Sequence, residues 1–124
     1  MIQRLTLRAA LMLALMAVPP VPALPPPGVQ AEVGLLLDYI DGSGCEFYRN
    51  GSWHDSKAAQ AHIRDKYNYL AERDLIDTTE DFIDKAATKS GLSGQVYLVR
   101  CNGGAPVASA QWLRDELVHL RAAP

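Results

Sequence analysis

Cys45 and Cys101 are the only cysteines in the chain; the first opens and the second closes a short run that alternates like a β-strand. Whether they pair decides the fold, because a covalent link would tie an early segment to a late one. In "CEFYR", Cys45, Phe47 and Arg49 share one face, and Glu46 and Tyr48 share the other. In "GQVYLVRC", Tyr97, Val99 and Cys101 share a face, and Val96, Leu98 and Arg100 the other. If the two strands lie side by side, both sulfurs point into the same core. One disulfide would close a loop of about 57 residues and contribute about 4 kcal/mol by chain-entropy arithmetic. Small domains are typically stable by about 5–15 kcal/mol, so that share is large. Two free thiols, an intermolecular bond and a redox pair are the alternatives. Redox catalysis usually shows Cys-x-x-Cys at a helix N-terminus, and neither cysteine here has a near neighbour.

The first residues predict export. "MIQRLTLR" carries Arg4 and Arg8 and no acid, "AALMLALMAV" is apolar, and "PPVPA" ends in a Val-x-Ala pattern at Val21 and Ala23. Charged start, short apolar run and small residue at the cut make a secretory signal peptide over residues 1–23. The apolar run falls short of the roughly twenty residues that span a bilayer, so no membrane span is expected after cleavage. A second Val-x-Ala at Val29 and Ala31 offers an alternative cut. The expected location is periplasmic or secreted, where disulfides persist.

Cleavage removes two arginines and no acid. It leaves ten basic against fourteen acidic side chains, a net charge of −4. The signs are interspersed. Duplex binding needs a concentrated basic face, so nucleic acid is not an expected partner.

The proline-rich segment 24–31, "LPPPGVQA", reads as an extended leader. A single domain over 32–121 follows. Val33, Leu36, Leu37 and Ile40 make a helical stripe that Gly42 and Gly44 stop. Asn50-Gly51 marks a two-residue type I′ hairpin turn. It sets Ser52 opposite Arg49, Trp53 opposite Tyr48 and His54 opposite Phe47. A second helix carries Ala59, Ile63, Tyr67 and Leu70 inward, capped by Asp55 or Ser56. Thr78 caps a third, with Phe82, Ile83 and Ala86 inward, Lys85 and Lys89 toward its far end, and Gly91 as terminator. "NGGAPVA" reads as a loop, and Ser109 as the cap of a last helix with Leu113, Leu117 and Leu120 inward. The order α-β-β-α-α-β-α predicts an α+β domain with a three-stranded antiparallel sheet, about four helices and one disulfide.

"LLDYIDGSGCEFYRNG", "AAQAHIRDKYNYL", "TTEDFIDKAATKSGLSGQVYLVRC" and "SAQWLRDEL" resemble a bacterial family of small exported proteins, the domain of unknown function 5329 family. The likeness runs over residues 33–121 and includes Cys45, Phe47, Arg49-Asn50-Gly51, Lys66-Tyr67, Glu80-Asp81-Phe82-Ile83, Ser93-Gly94 and Tyr97. It implies a periplasmic location and supplies no activity, substrate or cofactor.

Each candidate for chemistry has a plainer alternative. Arg49 offers a fork for a carboxylate or phosphate, against solvation or pairing with Asp81 or Glu80. His62, Lys66 and Tyr69, with Arg64 and Tyr67 nearby, form a basic flank with aromatic edges suited to a small anionic ligand. The alternative is an ordinary helix flank, its lysine lying over the sheet. His54, Asp55 and His62 are the one cluster resembling metal ligands, but their spacing does not assure convergence. His119 lies on a charged helix and reads as solvated. Thr79-Glu80-Asp81 could pair carboxylates for acid–base work, though acids in a first turn also answer the helix dipole. Ser90, Ser93 and Gly94 form a loop without the Gly-x-Ser-x-Gly elbow of serine hydrolases. No phosphate-cradling glycine loop and no cofactor motif occur. Tyr48 and Trp53 form a cross-strand pair that is either covered by helices or exposed as a platform.

The expected function is therefore a non-catalytic binding or interaction module. It would contact an unknown protein or a small anionic ligand through Tyr48, Arg49, Asn50 and Trp53, with Lys66 as a second site. A small enzyme using His54 or His62 with a carboxylate, or an inhibitor or immunity-type protein, are the alternatives. No metal and no cofactor are expected.

Overall fold

Backbone hydrogen bonding sets eight elements in a computed structural model that describes residues 8–17 and 24–124. They are α1 (Pro27–Gly42), β1 (Glu46–Arg49), β2 (Ser52–His54), α2 (Ser56–Ala71), α3 (Thr79–Ala86), β3 (Leu98–Arg100), β4 (Val107–Ala108) and α4 (Ser109–Ala122). Arg4, Val21 and Ala23 of the expected signal lie outside the described residues. Among the described residues, no helix is long and apolar enough to cross a membrane.

α1 starts at Pro27, so the end of the expected leader is the helix's opening turn and Ala31 lies inside it. Proline is well suited to a first helical position, where its missing N–H has no partner to lose. The predicted stripe of Val33, Leu36, Leu37 and Ile40 is buried. In α2 the cap is Asp55, whose Oδ1 accepts from the Ala58 N–H at 2.8 Å. Thr78 and Asp81 form a reciprocal capping box on α3. That helix ends at Ala86, short of Gly91. Lys89 lies beyond it and pairs with Val96 in an isolated bridge.

The sheet has four strands rather than three, in the order β2-β1-β3-β4, all antiparallel. The hairpin register is the one that Asn50-Gly51 predicts, Arg49 opposite Ser52, Tyr48 opposite Trp53 and Phe47 opposite His54. Both turn residues take positive φ, 49° and 86°. β3 sits beside β1 with Val99 opposite Phe47. Continuing that register brings Cys45 to Cys101, which are joined by a disulfide with their Cα atoms 4.4 Å apart. The unpredicted strand is β4. Asn102 and Gly103, both at positive φ, turn the chain back so that Val107 and Ala108 pair with Val99 and Leu98. Two residues after a Gly-Pro-rich stretch carry no alternation to read; the free edge of β3 recruits them.

The inward face of the sheet, with Phe47 and Val99, joins the helices in one core that holds Leu36, Ile40, Ile63, Phe82 and Leu113. The other face carries Glu46, Tyr48, Trp53, Leu98 and Arg100, and none of them is buried.

Three helices are clasped by one ion cluster. Arg121 on α4 donates to Glu32 on α1 at 2.9 and 3.1 Å and to Glu80 on α3 at 2.5 Å. The buried Thr79 hydroxyl also donates to Glu32, at 2.6 Å. Arg121 and Thr79 together hold the Glu32 carboxyl down at about 2. A carboxyl depressed in the folded state stabilises above its unfolded pKa and loses that contribution as pH falls through the folded value. The Glu32 contribution is therefore complete above about pH 4.5 and fades toward pH 2. The full shift corresponds to about 3 kcal/mol, and solvent screening of this partly exposed group brings it to about 1–2 kcal/mol. Urea melts of the wild type and Glu32→Gln should differ by that amount at pH 7, and the gap should shrink below about pH 4.5 and close only as pH falls through about 2. A gap that stays constant with pH would remove the clasp from the account.

Candidate functional site

The hairpin register turns Arg49 toward the helices, where α2 runs beneath it. Arg49 Nη1 lies 3.2 Å from His62 Nδ1. On the other side of the same ring, His62 Nε2 lies 3.2 Å from the Tyr97 hydroxyl. Lys66, one turn further along α2, donates to that hydroxyl at 3.0 Å and to the Lys89 carbonyl at 2.9 Å. The chain Arg49–His62–Tyr97–Lys66 thus links β1, α2 and the start of β3.

Hydrogen-bond roles in this chain follow from chemistry. Arginine and lysine only donate. Facing a guanidinium, Nδ1 of His62 must accept, so the ring is neutral and carries its proton on Nε2. That proton goes to the Tyr97 oxygen, which also accepts from Lys66. Burial holds the His62 pKa below its ordinary value, and the positive charges of Arg49 and Lys66 push the same way against Asp65. Neither Arg49 nor Lys66 has a carboxylate within salt-bridge distance among the described residues. The acids that the sequence offers Arg49 are occupied: Glu80 binds Arg121 and the Asp81 carboxylate caps α3.

A small cavity of about 20 Å³ opens beside the chain, lined by Arg49, His54, His62, Tyr97 and Ser109, with apolar walls including Phe47 and Ile63. Next to it, a shallow depression of about 350 Å³ is lined by His62, Asp65, Lys66, Tyr69, Leu70 and Lys85. His62 borders both. The predicted flank of His62, Lys66 and Tyr69 is therefore one continuous surface, whereas Arg64 and Tyr67 face a separate groove against α1.

The other expected contact residues point their side chains elsewhere, although Tyr48 also borders the small cavity beside Arg49. Tyr48 and Trp53 meet edge to face at 5.4 Å across the hairpin, on the sheet face away from the helices. The Arg100 guanidinium stacks over Trp53 at 3.7 Å and is held by Glu46. Asn50 is engaged at the hairpin tip, where its Oδ1 accepts from Ser93 Oγ at 2.6 Å. Thus Arg49 and Lys66 come together through His62 and Tyr97, while Tyr48 and Trp53 form a second surface.

His54 and His62 converge on the same cavity, but no Asp or Glu lines it. Asp55 is spent on the helix cap. Among the described residues, no three His, Cys, Asp or Glu side chains gather to hold a metal ion. His119 is 85% exposed and reaches only Glu116, at 4.0 Å.

Two site residues were missed. Tyr97 reads from alternation as core, and it is only 5% exposed, but nothing in the pattern says that its hydroxyl meets His62 and Lys66. Ser109 reads as a helix cap. Instead Ala108, held in β4, takes the cap position with no side-chain bond, and Ser109 becomes the first residue of α4. Its hydroxyl is fully buried without a hydrogen-bond partner.

The fold and this basic, carboxylate-poor cluster define a small α+β protein with one disulfide and a small, apolar-walled cavity edged by a few polar side chains beneath a hairpin. Residues 27–121 match the family of unknown function DUF5329, and the chain belongs to that family. It is 36% identical over 69 residues to the uncharacterized protein YfeK of Salmonella typhimurium strain LT2, a match covering 55% of this chain and 56% of that protein. The alignment therefore spans about half the length of that relative. No solved structure matches the chain.

Proposed function

We propose that this is an exported, non-catalytic binding module that holds a small anionic ligand at the Arg49–His62–Tyr97–Lys66 cluster. One observation carries the reading: two cationic side chains converge on a half-buried site, and no carboxylate pairs with either among the described residues. Half-buried charges are normally paired, so an external anion is the missing partner. Lys85 on the rim adds a third positive charge against the single acid Asp65. Export is supported by the arginine-flanked apolar start and by a disulfide, which suits an oxidising compartment.

The disulfide-intact mature protein, titrated with sodium acetate and inorganic phosphate at constant ionic strength, tests this by NMR. Shifts should concentrate on the amides and side chains of Arg49, His62, Lys66 and Tyr97. Charge-assisted hydrogen bonds contribute about 1.5–3 kcal/mol, so Arg49→Gln should weaken binding roughly 10–100-fold. Trp53→Ala, on the opposite face, should leave it unchanged. Anions that shift nothing at the cluster, or a loss of binding in Trp53→Ala rather than Arg49→Gln, would move the function to the outer aromatic surface.

A further inference from the structure

The ligand's chemistry can be taken one step further, and this step rests on the reading that the basic cluster binds an anion. The groups left over around the cavity are of one kind. The Tyr97 oxygen accepts from both His62 and Lys66, which leaves its own hydrogen without an acceptor among the described residues. Arg49 spends one N–H on His62 and keeps the rest of its fork. Ser109 has a buried hydroxyl with no partner and lines the same cavity. Its position is fixed, because the Ser109 amide donates to the Tyr97 carbonyl at 2.9 Å. Leaving a buried hydroxyl unpaired is costly, so such a group calls for an explanation.

Unfilled donors from three directions ask for an acceptor. The room is also limited. A cavity of about 20 Å³ admits one oxygen-sized group. A tetrahedral phosphate or sulfate that leads with one oxygen brings three more to a mouth edged largely by apolar walls, where they find few donors. A planar carboxylate can put one oxygen inside and leave the other on the guanidinium edge at the mouth.

We infer that the ligand is a carboxylate, one oxygen of which enters the cavity to accept from Ser109 and Tyr97 while the other meets Arg49. Ser109 is thereby a binding residue inside a cavity whose size favours carboxylates over tetrahedral anions.

The test is Ser109→Ala in the full disulfide-intact protein, read by NMR titration with acetate and with inorganic phosphate, beside thermal unfolding. Losing one hydrogen bond to a charged acceptor should weaken acetate binding roughly 10-fold or more. The melting temperature should hold or rise, since the variant removes an unpaired buried hydroxyl. Tyr97→Phe, which deletes the second donor, should weaken acetate in the same way and serves if Ser109→Ala does not fold. Acetate binding that survives both variants would leave the basic cluster a binding site but overturn the role of Ser109, whose cavity then holds only water. Phosphate bound as tightly as acetate would overturn the preference for carboxylates. Failure of every anion to bind the wild type would sink the parent reading itself.

Discussion

Reduction of the Cys45–Cys101 disulfide, or replacement of both cysteines by alanine, should lower the unfolding free energy by about 4 kcal/mol and the melting temperature by roughly 15–30 °C. The bond spans a sequence separation of 56 and encloses the hairpin, α2, α3 and all of β3. Its main effect lies in the unfolded chain, which regains the freedom that the closed loop denies it. Little is lost locally: the ladder of Phe47 with Val99 and Tyr48 with Leu98 persists without the sulfurs. The folded structure should therefore survive reduction with its spectrum unchanged while its denaturation midpoint drops. Urea melts of oxidised and reduced protein measure this directly. A difference under about 1 kcal/mol would mean that the reduced unfolded chain stays compact on its own, and the entropic account would then fail.

What the sequence made legible was local. Asn50-Gly51 specified the hairpin register residue by residue, because a turn needing positive φ at both positions leaves few alternatives. Alternation on either side of Cys45 and Cys101 placed both sulfurs inward, and their bond followed. The apolar stripes of the four helices face the core, with Tyr67, Leu70 and Leu120 only partly buried at its edge. What escaped was set by tertiary neighbours. β4 exists because β3 has an open edge, and its recruitment of Ala108 displaced Ser109 from the cap position that a serine ordinarily takes. The site was half legible for the same reason. A basic flank on α2 is a helical periodicity, visible in His62, Lys66 and Tyr69. The join to Arg49 through His62, and to β3 through Tyr97, depends on how the hairpin lies on α2, which no periodicity records. Tyr48 and Arg49 are adjacent in the chain and were grouped as one surface, yet the pleat sends them to opposite faces.

Phe82→Ala should cost about 3–5 kcal/mol, in the range for a fully buried phenylalanine. Phe82 is 0% exposed and meets the Tyr67 ring edge to face at 5.5 Å. It sits on the shortest helix, eight residues long, which packs against α1, α2 and α4. A helix of this length is marginal in isolation, so α3 owes its existence to its cap and to this packing. The hole left by the ring cannot close easily, because three other helices converge there and the sheet-bound hairpin fixes α2 through Arg49 and His62. Phe82→Leu, which keeps most of the volume, should cost far less. This loss belongs to the folded state, whereas that of the disulfide belongs to the unfolded one, so the two should add. Together they amount to about 7–9 kcal/mol, comparable to the whole stability of a typical small domain. Circular dichroism at 25 °C should accordingly find the oxidised Phe82→Ala protein and the reduced wild type still folded, and the reduced Phe82→Ala protein largely unfolded. A reduced variant that keeps its full helical signal would show that Phe82 is not the centre on which the four helices pack.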